Sequence, residues 1–227
     1  EINIQQLRLH LTRNITHFIG QNLWFFALNA ITLAQLFAFE FSVPVWVALF
    51  APFFLSEKLT LKRFMAASIG FIGILIVARP DQMGITPGII AAALCAICFT
   101  GTGIATKLLT RNQSITCILF WLTMMQAIFG VVCAGYDFQI TTPSKTTLPW
   151  VILIGFAGLT AHFCITRALQ LADAMVVYPM DFVRLPIATA VGVLFFNEPI
   201  QIFVFIGAVI ILGANFLNIM SSRNAPT

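Results

Sequence analysis

The sequence predicts an all-α fold, a polytopic membrane helix bundle with about eight transmembrane helices. Of its 227 residues, 59% are hydrophobic and only 9% are charged, whereas a soluble domain carries about 25% charged residues. The mean hydropathy is +0.96. The apolar runs are continuous, which argues against the alternating strands of a membrane barrel. These observations exclude a soluble enzyme and a nucleic-acid-binding protein.

Eight apolar segments are close to the ~20 residues that a helix needs to cross a bilayer. Their predicted ranges are 15–31, 35–55, 63–79, 86–108, 114–136, 148–169, 174–196 and 201–220. Residues 1–13 are polar with apolar spacing, so we expect a loop or interfacial turn there, and residues 221–227 are expected to be a cytoplasmic tail.

Lys and Arg residues are unevenly distributed between the two sides of the predicted bundle. Nine of the twelve, Arg13 among them, fall on one side, two fall on the other, and Arg184 lies inside a segment. Because Lys and Arg are enriched in cytoplasmic loops, both termini are predicted to be cytoplasmic in a cell (inner) membrane. The chain starts at Glu1 without a signal-peptide pattern, and we expect it to begin partway into a longer protein.

The two parts of the chain are related by an internal repeat with a shift of 141 residues. Without a gap, the shift aligns three polar pairs: Glu40 with Asp181, Glu57 with Glu198, and Gln21 with His162. Five predicted helices separate Glu57 from Glu198. Since five is odd, the two copies are predicted to have opposite orientations, which is typical of secondary transporters.

The repeat unit contains five helices, which sets the domain organisation. Residues 14–80 are predicted to be a partial first copy of three helices, and residues 84–220 a complete second copy of five. The first two helices of the first copy are therefore expected to be missing from this sequence.

In each copy, a Glu is followed by small residues nine and sixteen positions later. These are Glu57 with Ala66 and Gly73, and Glu198 with Gly207 and Ala214. A spacing of seven places the small residues on one helix face, where they allow close packing. This pattern, with the stretch 173–186, resembles the EamA-type branch of the drug/metabolite transporter superfamily, although Ala replaces a family glycine at 66 and 214. The resemblance implies ten helices in inverted five-helix repeats around a central cavity, and substrates such as amino acids, nucleotide-like metabolites, vitamins or drugs.

Charged side chains inside predicted helices are candidate site residues, because inserting a charge into a bilayer costs about 2.5–3.5 kcal/mol. Asp181 and Arg184 are three residues apart and share a helix face. They are interpreted either as an internal ion pair or as a substrate or proton site in which the guanidinium binds an anion. Glu40 has no charged neighbour in sequence and is a candidate proton or ion site.

Further residues are candidates for the substrate or ion pathway or for helix geometry. Those expected to line a polar and aromatic cavity are Gln21, Trp24, Gln126, His162 and Tyr178. Candidate hinge or packing positions are Pro44, Pro179, Pro186, Gly101 and Gly103. For His162 and Trp24 the alternative is a packing or anchoring role, and for the glycines both tight packing and a hinge remain open.

The predicted function is secondary active transport, as an exporter or exchanger of a small polar metabolite or drug-like solute by alternating access. No nucleotide-binding, HExxH or GxSxG motif occurs, so we predict proton coupling, no enzymatic activity, no catalytic residue, no cofactor and no metal. The expected partners are the lipid bilayer, a small-molecule substrate and a proton, without nucleic acid. A homodimer whose partners complete each other's bundle is an alternative assembly. Alternative functions are a nonfunctional or scaffold-type truncated membrane protein and an intramembrane enzyme.

Overall fold

The computed structural model describes residues 2–56, 60–78, 84–138, 140, 142–181, 184–196 and 202–223. Its helices are α1 (Leu7–Leu28), α2 (Leu33–Glu40), α3 (Val43–Phe54), α4 (Leu61–Ala78), α5 (Pro87–Leu109), α6 (Ile115–Ala134), α7 (Leu148–Leu171), α8 (Ala174–Met180), α9 (Arg184–Phe196) and α10 (Ile202–Arg223). The described residues contain no strand, and the all-α prediction is confirmed.

Several helical stretches of the described chain are long and apolar enough to cross a membrane. These four are Gln35–Phe54, Pro87–Leu109, Ile115–Ala134 and Leu148–Leu171. The first of them includes both α2 and α3, so one predicted span is formed by two helices.

Helix α1 corrects the prediction for the N-terminal segment. It begins at Leu7, so residues 7–13 are helical and do not form the expected loop or turn. Their polar side chains have a different explanation, because His10, Arg13 and Asn14 are buried in the bundle. The opposite face of α1 exposes apolar side chains such as Ile15 and Ile19, an arrangement suited to lipid outside and polar groups inside.

The spans predicted at 35–55 and 174–196 are each divided into two helices. Helix α2 ends at Glu40 and α3 begins at Val43, with Pro44 in its first turn, where a missing N–H costs nothing. The hydroxyl of Ser42 donates to the carbonyl of Phe39 at 2.6 Å. The backbone N–H of Ser42 donates to the same carbonyl at 2.9 Å, so this carbonyl at the break has hydrogen-bond partners, as an apolar environment requires.

The described helices repeat with the same shift that relates the sequences. Helices α1, α2, α3 and α4 begin at residues 7, 33, 43 and 61, and α7, α8, α9 and α10 begin at residues 148, 174, 184 and 202. Every pair differs by 141. Both helix breaks consequently fall at the same register of the repeat, next to the aligned acids Glu40 and Asp181.

Among the described helices, α1 packs most extensively against α5, and α4 packs most extensively against α10. In the second pair, a Cβ added to Gly73 would come within 2.8 Å of Ile211 Cγ1 and 3.0 Å of the Gly207 carbonyl oxygen. Ala66 and Ala214 are also buried. The close packing predicted for these small residues is confirmed.

Two cations at the end of α5 bring several helix ends to one side of the bundle. Lys107 donates to the carbonyl oxygens of Leu169 and Ala172 at 2.7 Å each, at the end of α7. Arg111 donates to the carbonyl of Leu55, just beyond α3. Cations at helix C-termini are favourable because the terminal carbonyls lack intrahelical partners.

Candidate functional site

A cavity of about 340 Å³ lies inside the bundle, within the size range of small-molecule sites. Its wall includes seven side chains that can carry or share a proton: Arg13, His17, Glu40, His162, Tyr178, Asp181 and Arg184. They come from α1, α2, α7, α8 and α9 and from the break after α8, so the cavity lies where both repeat copies meet.

Two carboxylates share one guanidinium in this wall. Nη2 of Arg184 lies 2.5 Å from Oε1 of Glu40 and 2.7 Å from Oδ2 of Asp181. The predicted ion pair between Asp181 and Arg184 therefore forms, and Glu40 joins it across 144 positions of sequence. With all three groups ionised, this triad of Glu40, Asp181 and Arg184 carries one net negative charge.

The triad lies at two helix ends that are unfavourable for anions. Glu40 is the last residue of α2 and Asp181 is the C-cap of α8. A helix C-terminus carries partial negative charge, which repels a carboxylate. Because two such ends meet here, the guanidinium of Arg184 offsets both the carboxylates and the helix dipoles.

Aromatic side chains hold the triad in place. The indole N–H of Trp24 donates to Oε2 of Glu40 at 2.8 Å. The guanidinium carbon of Arg184 lies 5.5 Å from the ring centre of Phe37 and 5.4 Å from that of Phe41. These distances allow cation–π attraction, so both partners of the Glu40–Arg184 pair have a second contact that restricts them.

Arg13 is a second guanidinium in the cavity wall, and it has a different environment. It is only 2% exposed. Its Nε donates to Thr106 Oγ1 at 3.2 Å, its Nη1 to Asn14 Oδ1 at 2.8 Å, and its Nη2 lies 3.4 Å from His162 Nδ1. Thr106 and Asn14 are neutral, and His162 faces the guanidinium with its Nδ1 as an acceptor, so none of the three partners carries a negative charge. Among the described residues, Arg13 has no carboxylate partner.

His17 and His162 lie side by side next to Arg13. Their ring centres are 4.8 Å apart in an edge-to-face arrangement. His17 also packs on Phe99, and its buried Nδ1 has no hydrogen-bond partner within the described part of the chain. The two rings add polar atoms to a wall that combines charged and hydroxyl groups with aromatic and aliphatic side chains.

The structure places the predicted site residues in three situations. Glu40, Pro44, His162, Tyr178, Asp181 and Arg184 line the cavity. Trp24 lies behind it and bonds to Glu40. Gln21 is exposed, and Gln126 donates to the backbone carbonyl of Asn14 at 2.9 Å; neither lines the cavity. Glu57 and Glu198 lie outside the described residues.

The candidate hinge or packing residues also differ from one another. A Cβ added to Gly103 would overlap the hydroxyl and ring of Tyr178, whereas one at Gly101 would make an ordinary contact with Thr16. Helix α5 runs without a break through both glycines. Pro179 is buried near the end of α8, and Pro186 falls within α9.

Sequence reasoning missed Arg13 and His17 as site residues. The distribution of Lys and Arg predicts a loop position for Arg13, but this residue lies inside α1 and is buried. The spacing of Arg13, His17 and Gln21, four residues apart, is a signal for one polar helix face and could have identified the first two. No group of three metal-ligating side chains occurs in the described part of the chain.

Comparisons with known proteins identify the family. The EamA-like transporter family matches residues 5–79 and 86–220. An S-adenosylmethionine uptake transporter of Rickettsia bellii is 26% identical over 96% of this chain and 74% of its own length. Riboflavin transporters of Rhizobium johnstonii and Brucella anthropi are 30% and 31% identical over 91% of this chain and 68% and 74% of their lengths.

The fold is also similar to that of a solved crystal structure. That structure aligns with 97% of this chain and 78% of its own chain at a TM-score of 0.75 and 17% identity. The family match covers both copies of the repeat and nearly all of the described helices. The chain therefore belongs to the EamA-like transporter family: it is a multi-pass helical membrane protein and a transporter, not an enzyme.

Proposed function

We propose that the chain is a secondary transporter that moves a small polar metabolite through the central cavity by alternating access. The observation that carries this proposal is the position of the cavity. Two broken helices, related by the 141-residue shift, meet there, and the charged triad lies at both breaks. Broken helices around a charged midpoint are typical of transporter binding sites.

Alternating access is supported by the equivalence of the helix starts. Two copies with opposite orientations can exchange conformations, and this exchange opens the cavity first to one side of the membrane and then to the other. The breaks between α2 and α3 and between α8 and α9 fall at equivalent positions of the repeat, next to Glu40 and Asp181. These breaks are the hinges in our proposal.

Coupling to protons is the proposed source of energy. Glu40 and Asp181 compete for the same guanidinium, so a proton or a cationic group on either carboxylate changes the charge of the triad by one unit.

Direction is proposed to be export or exchange. Two groups of relatives are named for S-adenosylmethionine uptake and for riboflavin transport, which makes these two compounds the first solutes to test.

The proposed location is the inner membrane, with both termini cytoplasmic. Arg8 lies at the start of α1, and Gln113 in the α5–α6 connection donates to the carbonyl of Gln5. Lys107 and Arg111 are on the same side. These cations give one side of the bundle the positive charge expected of a cytoplasmic face.

The direct test is counterflow in proteoliposomes that contain the purified chain. Vesicles preloaded with unlabelled S-adenosylmethionine or riboflavin should accumulate the labelled compound, whichever direction the cell uses. We expect Arg184→Ala to abolish counterflow while inserting normally. Arg167→Ala is the matched control, because Arg167 is an exposed cation of α7 that bonds only to Gln170 among the described residues.

Two results would contradict the proposal. Counterflow by Arg184→Ala at the wild-type rate would show that the triad is not part of the pathway. An imposed pH gradient that leaves the wild-type rate unchanged would contradict proton coupling and leave the carrier assignment intact.

A further inference from the structure

We propose that Arg13 binds a carboxylate of the transported solute, and that this solute is a zwitterion whose cationic part faces Glu40 and Asp181. The inference rests on the proposed function, because it assigns a substrate class to the same cavity. It differs from the sequence-based expectation, in which Arg184 binds the anion.

The first step is the uncompensated charge of Arg13. A guanidinium has five N–H donors and no acceptor. Three donors have partners in Thr106, Asn14 and His162, so two remain without one among the described residues. A buried charge is normally paired, and both carboxylates of the cavity wall are bound to Arg184 instead.

The second step is that the surroundings of Arg13 hold it as a donor. The hydroxyl of Thr106 donates to the carbonyl of Thr102 at 2.7 Å, which leaves its oxygen to accept from Arg13. The amide nitrogen of Asn14 donates to the carbonyl of His10 at 2.9 Å, which directs its oxygen toward the guanidinium. The side chain of Arg13 is therefore positioned before any solute arrives, as an efficient binding group should be.

His162 is fixed in the same way. Because a guanidinium only donates, Nδ1 of His162 must accept from Arg13, which places the imidazole proton on Nε2 and makes the ring neutral. The group next to Arg13 therefore adds no negative charge. An arriving carboxylate would supply the missing one, with geometry matched to the fork of the guanidinium.

The third step is the opposite charge elsewhere in the same cavity. The triad holds two carboxylates and one guanidinium, a surplus of one negative charge. Arg13 provides one positive charge, so the ionised groups of the wall sum to zero while their charges are separated. A solute without charged groups would leave both charges of the wall unpaired, whereas a zwitterion would pair each of them.

This charge pattern discriminates between the two solutes named for the relatives. S-adenosylmethionine carries a carboxylate, an ammonium and a sulfonium group, whereas riboflavin carries no carboxylate. We therefore assign to the cavity the class of α-amino carboxylates that carry a further apolar or cationic part.

The test is equilibrium binding to the purified full chain in detergent, with ligand pairs that differ only in the carboxylate. The pairs are S-adenosylmethionine with its decarboxylated form, and L-methionine with L-methioninamide. We expect wild-type protein to bind at least one carboxylate form roughly tenfold to a hundredfold more tightly than its partner, the range of a charge-assisted hydrogen bond. In Arg13→Gln this preference should disappear, and in Arg13→Lys part of it should remain.

Arg8→Gln provides the matched control, because Arg8 is an exposed cation of the same helix. It should keep the full preference. The wild-type comparison needs no substitution, so the inference is tested even where Arg13→Gln does not fold. Equal binding within both pairs, no binding of any of the four compounds, or a preference that persists in a folded Arg13→Gln variant would overturn it.

Its failure can be separated from failure of the proposed function. Carboxylate-dependent binding without counterflow would support the Arg13 site and contradict transport. Counterflow of riboflavin that is equal in wild type and Arg13→Gln would support transport and contradict the site.

Discussion

Helices α1 and α7 occupy equivalent positions in the repeat, yet they contribute different chemistry to the cavity. In α1, Arg13 and His17 line the wall, whereas the equivalent residues of α7 are Ile154 and Gly158. Helix α7 contributes His162, one turn further along. The two helices start at equivalent positions, but their cavity-lining polar side chains do not coincide after the shift.

The acids of the cavity correspond to each other under the 141-residue shift, whereas its cations have apolar counterparts. Glu40 and Asp181 are equivalent under the shift and lie at equivalent helix breaks. The counterpart of Arg184 is Val43, and the counterpart of Arg13 is Ile154. The repeat thus supplies a symmetric scaffold with symmetric acids, while the cations are asymmetric and give the cavity its separation of charge.

The surroundings of α1 and α7 differ as well. Helix α1 packs along α5 and also contacts α6. In α7, large apolar side chains such as Trp150, Val151 and Phe156 are exposed. In α7 only Thr166 and Leu169 are buried, whereas α1 buries His10, Arg13 and Asn14 on one face.

The largest expected effect comes from removing the shared cation of the triad. Arg184→Ala leaves two carboxylates together at two helix C-termini. Breaking a buried ion pair costs about 3–5 kcal/mol, and because the Arg184 side chain is 42% exposed, we expect a loss of about 2 kcal/mol in the free energy of unfolding. Chemical denaturation in detergent measures this loss.

A second substitution shows whether the loss comes from charge. Adding Glu40→Gln to Arg184→Ala removes one of the two negative charges and should restore most of the stability. Arg167→Ala should change the free energy of unfolding by no more than about 0.5 kcal/mol, as an exposed residue does. A stable Arg184→Ala variant would mean that the symmetric acids need no cation.

The sequence was sufficient for the features that depend on local spacing. Apolar length located the helical regions, although not the start of α1 or the division of two spans. Asp181 and Arg184 are three residues apart and form the predicted pair, and the small residues of α4 and α10 predict the close packing that is observed. In each case, the interacting groups lie on one helix face or follow a repeated pattern, so the relevant distance is visible in the sequence.

The features that depend on packing between distant helices could not be predicted in this way. The partner of Glu40 is 144 residues away, and only the approach of α2 to α9 brings them together. Arg13 lies near the start of its helix, where a charge count treats a cation as a loop residue. Its burial depends on neutral acceptors from α5 and α7, Thr106 and His162.

A smaller effect is expected at the position where the copies place different aromatic residues. Tyr178 and Phe37 are equivalent under the shift, but only the tyrosine has a hydroxyl, which lies against Gly103. Gly103→Ala should displace Tyr178 and cost about 1.5 kcal/mol of stability, within the range of overpacking. Thermal unfolding in detergent measures this cost.

The neighbouring glycine of α5 provides the control. A Cβ at Gly101 would lie 3.6 Å from Thr16 Cγ2, an ordinary contact, so Gly101→Ala should be neutral or stabilising by up to about 1 kcal/mol through helix propensity. Equal effects of the two substitutions would show that the contact between Tyr178 and Gly103 does not constrain the cavity wall.

The smallest predicted difference separates the two symmetric acids themselves. Glu40 accepts hydrogen bonds from both Trp24 and Arg184 and is 12% exposed, whereas Asp181 accepts from Arg184 and is 47% exposed. Glu40→Gln should therefore cost about 1 kcal/mol more stability than Asp181→Asn, the value of one further hydrogen bond in a less hydrated place. Denaturation of both single variants and the double variant measures the difference, and the double variant should cost less than the sum because the acids share one guanidinium. Equal losses in the two single variants would mean that the two equivalent acids also contribute equally to the free energy of unfolding. The asymmetry of the cavity would then come from Arg13 and Arg184 alone.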